Sequence, residues 1–359
     1  MFREIARLLA TRAKANDELG RKVVAAIDVT KGPEWTGQNE RNNRGELTHP
    51  YRLGYKNADI HHQYAVIKIV GLDVPLILDL VPRVRGQSKA DIVADLLDGA
   101  QDILSELDLV LMDREFDSDG VKEAFEEHGV HYLNPARVRS SDPEADMIRA
   151  MAHNDERYRL TEQETVTDAP SRKVAIVPTE RDDFGTTPDD VEVDGDSEVS
   201  ETRQEMLDDL GLETDDVPDS GMFSGVVDEI REEESFRPAA TDHAYVPFET
   251  NLPLDVAATD TERDHQIGRL MRTYARRWGI ENGFKKLKTF LPKTTSPDAG
   301  YRYFNFAFAC ILYNVWRLVD LLVKLALEDD PDYAPLVTAP EFLTLSKRIG
   351  RGLDPPASA

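Results

Sequence analysis

Residues 107–113 read LDLVLMD, a short apolar run that ends in an acid. Apolar residues over so few positions, bounded by polar ones, form the pattern of a buried strand, and an acid at its end can leave the sheet edge for solvent. Upstream, residues 88–104 carry Ile92, Val93, Leu96, Leu97, Ile103 and Leu104 at helical spacing, with Ser88 placed as the cap. Before that helix, residues 61–70 and 74–84 are β-rich and separated by Gly71-Leu72-Asp73, which predicts an antiparallel hairpin. Further back, KVVAAID at residues 22–28 repeats the same pattern, a strand ending in Asp28. An amphipathic helix over residues 1–20, with Phe2, Ile5, Leu8 and Leu9 on one side, precedes it. Residues 30–52, with Gly32-Pro33, Gly37, Asn42-Asn43 and Gly45, predict a polar loop or lid. Downstream of Asp113, Ser118 opens a helix to about His128, and residues 130–133 form a further strand before Asn134-Pro135.

Three antiparallel strands, helix, strand, helix, strand is the order of a ribonuclease-H-like α/β core, a mixed sheet flanked by helices. That order brings the acids of the first and fourth strands, Asp28 and Asp113, side by side. From about residue 136 the pattern degrades into short β-like pieces at 157–167, 173–178 and 244–249, which read as a β-rich insertion enclosing an acidic segment. Regularity resumes with a capping box, Thr259 with Glu262, at the start of a long helix. The expected organisation is a first part of the core over 1–135, an insertion over 136–250 with a partly disordered acidic segment at 180–234, a second part of the core over 251–328, and a tail over 329–359. In that tail Pro331, Pro335 and Pro340 break up regular structure.

The net charge of −25 divides unevenly. Residues 180–234 hold 22 acids and 3 arginines, so the rest of the chain carries only −6. The single cysteine, Cys310, lies in an apolar helix, which excludes an intramolecular disulfide and a cysteine-based metal site and fits a reducing cytoplasm. No secretory leader is expected. The uncharged apolar run at residues 303–316 is shorter than the roughly 20 residues of a bilayer span, so it reads as a buried core helix and no membrane partner is expected. His61-His62 has no cysteine or carboxylate at ligand spacing and is not read as a metal site.

The most informative polar pattern is YARRWGIENGFKKLK at residues 274–288. Tyr274, Arg277, Glu281 and Lys288 recur at helical spacing, so a single helix would set a carboxylate between two cations and a phenol on one face. Ile280, Phe284, Leu287 and Leu291 mark the adjacent buried arc. Nine basic residues against two acids between Arg263 and Lys293 make a local +7 in an acidic chain, which calls for a polyanionic partner. Asp28, Asp113 and Glu281 are oxygen donors suited to Mg²⁺ or Mn²⁺, and two such ions would serve an in-line phosphoryl displacement. Lys285 and Lys286 add phosphate contacts beside Lys288, and Trp278 fits either a stack on an unpaired base or a place in the core.

The 274–288 stretch resembles, without a gap, the Tyr-(2)-Arg-(3)-Glu-(6)-Lys signature of the DDE transposases of the bacterial and archaeal insertion-sequence group that bears it. AIDVT around Asp28 and LVLMDREFDS around Asp113 are similar to its two Asp motifs, and the acidic composition is similar to that of halophile members. The resemblance runs from about residue 23 to 327. It implies that Asp28, Asp113 and Glu281 bind the metal ions and that Tyr274, Arg277 and Lys288 hold DNA phosphate near the cut. It implies Mg²⁺-dependent nicking at transposon ends, a hairpin intermediate and strand transfer into target DNA by a homodimer. Two departures stand out: Glu115, where the family often has a small residue, and a first strand starting too early for an N-terminal end-binding domain. The alternatives are a non-transposing nuclease on the same core and an N-terminally truncated DNA-binding remnant.

Overall fold

The computed structural model describes residues 2–15, 22–35, 53–56, 59–71, 74–84, 86–138, 142–154, 156–163, 172–179, 244–294, 296, 298–327 and 335–352. Its strands are β1 (Val23–Trp35), β2 (Leu53–Lys56), β3 (Asp59–Ile69), β4 (Ile77–Pro82), β5 (Leu107–Leu111), β6 (His131–Pro135), β7 (Arg159–Gln163), β8 (Arg172–Thr179) and β9 (Ala244–Thr250). Its helices are α1 (Phe2–Lys14), α2 (Lys89–Ile103), α3 (Asp119–His128), α4 (Pro143–Asn154), α5 (Asp260–Ala275), α6 (Trp278–Leu287), α7 (Ala299–Ala326) and α8 (Ala339–Gly352). The chain forms two compact units, Met1–Leu109 with Gly279–Ala359 and Val110–Trp278. The acidic segment 180–234 lies outside the described residues.

In the first unit, β3 runs antiparallel to β1 on one side and to β2 and β4 on the other, and β1 has β5 as its second neighbour. The hairpin between β3 and β4 is the one the sequence predicts, with Gly71 at φ 73°, a conformation glycine adopts without strain. Helix α2 starts at the predicted cap: Ser88 accepts from the Asp91 N–H, and Asp91 returns the bond to the Ser88 backbone. The first strand departs from expectation. It does not end at Asp28 but continues to Trp35, pairing Val29, Thr30 and Lys31 with Ala65, Tyr64 and Gln63. Gly32-Pro33, read as a turn, lies in a bulge between Lys31 and Glu34, where proline's missing N–H is tolerated. Of the expected loop at 30–52, residues 36–52 lie outside the described residues.

The second unit takes over β5 at Val110, and the order there is β5-β6-β9-β8-β7, with β6–β9, β9–β8 and β8–β7 antiparallel. Helix α3 joins β5 to its neighbour β6, a strand–helix–strand crossover of the kind that links parallel strands. The order β4-β3-β1-β5 in the first unit and β5-β6 in the second is that expected of a ribonuclease-H-like core. Helix α4 was not legible in the sequence, because only Ala145, Ile148 and Met151 mark its buried side.

Helix α7 is long and apolar enough to cross a membrane by length and composition, yet 61% of its most apolar window is buried. Its charged residues Arg302, Arg317, Asp320 and Lys324 are buried, with Asp320 facing Arg317 at 3.5 Å and Lys324 at 3.6 Å, the pattern of a core helix. At the register shift between Ile67 and Lys68, the Asn314 carboxamide of α7 accepts from the Ile77 N–H and donates to the Ile77 carbonyl, both at 2.8 Å. Asn314→Leu leaves two buried backbone groups unpaired and is expected to cost about 3 kcal/mol, read as a lower urea midpoint at constant slope. The C-terminal prolines do not prevent α8: Pro340 falls in its first turn, where no N–H is needed, and Thr338 and Glu341 form a capping pair.

Candidate active site

In the first unit, the site is built on one face of the sheet. Asp28 is paired directly with Val66 and Ala26 with Lys68, so Asp28, Val66 and Lys68 share a face. Asp28 is half-buried and its Oδ1 accepts from the Val29 N–H at 2.7 Å, which fixes the carboxylate. Helix α6 lies against this face: a Cβ on Gly279 would meet the Val70 side chain at 3.5 Å, and one on Gly283 would overlap the Lys68 side chain. Glu281, half-buried, stands between these two glycines. Ile280, Phe284 and Leu287 form the buried side of α6, as the sequence predicts, while Lys285, Lys286 and Lys288 are exposed.

In the second unit, Asp113 caps the short 3₁₀ turn Arg114–Phe116, its Oδ1 accepting from the Arg114 N–H at 2.7 Å, and its side chain is 31% exposed. Both aspartates thus hold one oxygen on the next residue's amide. Arg277 is 1% exposed, with Nη1 3.9 Å from Asp113 Oδ2 and its guanidinium 5.8 Å from the centre of the Tyr274 ring. Tyr274 is buried too, its hydroxyl donating to the Met112 carbonyl at 3.1 Å and its ring edge-on to Phe248. Burial holds the Arg114 pKa below its ordinary value, and the neighbouring Asp113 opposes that lowering without cancelling it.

Two sequence readings are corrected here. The four residues of the 274–288 stretch do not ride on one helix: α5 stops at Ala275, α6 starts at Trp278, and Lys288 opens the 3₁₀ turn Lys288–Phe290. The N–H groups of Arg276 and Arg277 bond three residues back, to the Thr273 and Tyr274 carbonyls, which tightens and ends α5. Tyr274 and Arg277 are consequently core residues and not part of an exposed row. Trp278 is half-buried. Arg269, Arg272 and Arg276, counted in the sequence only as part of the local +7, form an exposed row at i, i+3 and i+7, with Arg276 at the C-cap of α5.

Among the described residues, no three or more His, Cys, Asp or Glu side chains are gathered closely enough to hold a metal ion. The family described as "Transposase DDE domain" matches residues 20–296, most of the chain. The chain belongs to the transposase DDE domain family. No curated protein matches it. The structure of the piggyBac transposase synaptic complex with hairpin DNA is similar at 9% identity and a TM-score of 0.51, covering 94% of this chain and 55% of that one. At that identity the likeness is one of fold, and the chain spans about half the length of the transposase it matches. The Drosophila P element transposase strand transfer complex, at 10% identity over 98% of this chain and 76% of that one, has a TM-score of 0.22, too low to bear on the fold. The region matched to the DDE domain contains Asp28, Asp113 and Glu281, together with the exposed basic residues of α5 and α6.

Proposed function

We propose that the chain is a DNA transposase that cuts a strand at the end of its element and joins the freed 3′-hydroxyl to target DNA. The observation that carries this is the family match over residues 20–296, within which three half-buried carboxylates stand on ordered elements beside exposed cations. Asp28, Asp113 and Glu281 would hold two Mg²⁺ or Mn²⁺ ions, and the donor set fits such hard ions because it is all carboxylate oxygen. When bound, the ions lower the pKa of the attacking water or hydroxyl and stabilise the leaving oxygen of the phosphodiester. The protein's own part is to hold charge in place. The amide bonds to Asp28 and Asp113 orient those carboxylates, and α6, which packs on the sheet face of Asp28 through Gly283, carries Glu281.

Lys285, Lys286 and Lys288 in one unit, and Arg269, Arg272 and Arg276 in the other, are the groups we assign to DNA phosphate. Arg277 and Tyr274, being buried, support Asp113 from behind, and Trp278 stacks on an unpaired base. We further assign the chain to the insertion-sequence group with the Tyr-Arg-Glu-Lys signature, as a halophile-type member that acts as a homodimer on DNA through a hairpin intermediate. The test is an assay of metal-dependent cleavage and joining on DNA carrying the element's own ends. Joined product supports a transposase. Cleavage that never yields joined product supports the nuclease alternative, and binding without cleavage supports a DNA-binding remnant.

A further inference from the structure

Lys68 is 1% exposed near the end of β3, and a cation so buried is rarely found unless it is paired or has a task. Among the described residues no carboxylate pairs with it. Its Nζ donates to the Gly279 carbonyl at 2.5 Å and lies 5.3 Å from the centre of the Tyr313 ring. Gly279 is in the first turn of α6, two residues before Glu281. Gly283, one turn further on, has no room for a Cβ because the Lys68 side chain occupies it, with Cε 2.9 Å and Cδ 3.1 Å from where that atom would stand. Lys68 also shares its sheet face with Asp28 through the β1–β3 register.

We propose that Lys68 is a positioning residue for Glu281: its buried amine anchors the first turn of α6 by the Gly279 carbonyl and so fixes the helix turn that carries the glutamate. The glycine at 283 then has a physical reason, since it lets the helix backbone settle onto the lysine stem, whereas a Cβ at 279 would meet Val70 only at ordinary contact distance. The amine serves in either charge state, because neutral and protonated forms both donate a hydrogen. The groups facing it are Arg317 and Tyr313 from α7, Gly279 and Gly283 from α6, and the paired Ala26 and Ile77 from β1 and β4. Burial, and next Arg317, push its pKa down to about 7. A lysine lowered this way destabilises the fold most below pH 7, and the penalty fades as pH rises toward its ordinary value near 10.5.

This inference rests on the metal-dependent reading of Asp28 and Glu281, and the experiment keeps the two apart. Lys68→Met keeps a long apolar stem and removes the donor, whereas Gly283→Ala keeps the lysine and displaces its tip. Amide hydrogen exchange in α6 of the metal-free protein, the Mn²⁺ half-saturation concentration and the melting temperature are measured for both and for wild type. Expected are faster exchange in the first turn of α6 and a half-saturation raised about tenfold, of the size that outer-shell partners give. Excess Mn²⁺ should partly restore cleavage. Lys68→Met should melt at or above wild type at pH 6, the margin closing as pH rises. Wild-type exchange and wild-type Mn²⁺ half-saturation in Lys68→Met overturn the proposal, as does a loss that tracks melting temperature and resists excess Mn²⁺. If Lys68→Met does not fold, Gly283→Ala is judged by the same criteria. A wild-type chain that binds no Mn²⁺ overturns the metal reading itself.

Discussion

Asp28→Asn, Asp113→Asn and Glu281→Gln are each expected to lower metal-dependent strand cleavage by roughly a hundredfold or more, the rate equivalent of several kcal/mol of lost charge stabilisation. Folding should survive each change. The Asp28 and Asp113 carboxylates accept amide hydrogens from Val29 and Arg114, and an asparagine oxygen can accept the same bonds. What disappears is the negative charge that a divalent ion requires. Without metal, melting temperatures should hold or rise, because any repulsion among the carboxylates eases. Cleavage assays with Mg²⁺ and parallel melts decide the matter, and near wild-type cleavage by any one variant removes that residue from the triad.

The second large effect is on stability. Arg277→Ala should lower the unfolding free energy by about 2 to 4 kcal/mol, since truncation leaves a cavity and removes one of the two cations beside Asp113, Arg114 being the other. The stem of a buried arginine packs as a hydrophobe, and at 1% exposure that packing is lost whole. The ion-pair share is the smaller part, because Asp113 keeps about a third of its surface in water. Lys288→Ala is the contrast: exposed in the 3₁₀ turn after α6, it should change stability by less than about 0.5 kcal/mol. Its effect should appear in DNA binding, with weaker affinity and a salt slope reduced by about one. Urea titrations beside DNA affinities at several salt concentrations separate the two, and an Arg277→Ala variant as stable as wild type would falsify the core placement.

Much of this fold is written locally in the chain. The caps at Ser88 and Thr259, the hairpin at Gly71 and the apolar runs of β1 and β5 can be read because propensity, pattern and burial agree there. Disagreement comes where tertiary structure overrides local signal. Gly32-Pro33 looks like a turn but is a bulge within a paired strand. The break between α5 and α6 falls on two arginines, with no proline to announce it, and helical spacing alone cannot show that Arg277 turns inward. Lys68 interrupts the apolar run AVIKIV, and that interruption was a legible signal of a buried cation. Its partner, a backbone carbonyl 211 residues away, was not. Asp28, Asp113 and Glu281 could be picked out as acids at chosen places, whereas the amides that orient the aspartates belong to folded geometry.

Cys310, the one thiol in 359 residues, sits fully buried in α7, and burial raises its pKa well above the ordinary value. A neutral, enclosed thiol reacts slowly with electrophiles. The natural chain is therefore a clean background for site-directed labelling, with no cysteine to remove first. A cysteine placed at the exposed Lys286 would be the one fast-reacting thiol, and a nitroxide or fluorophore attached there would report the motion of α6, the helix that carries Glu281.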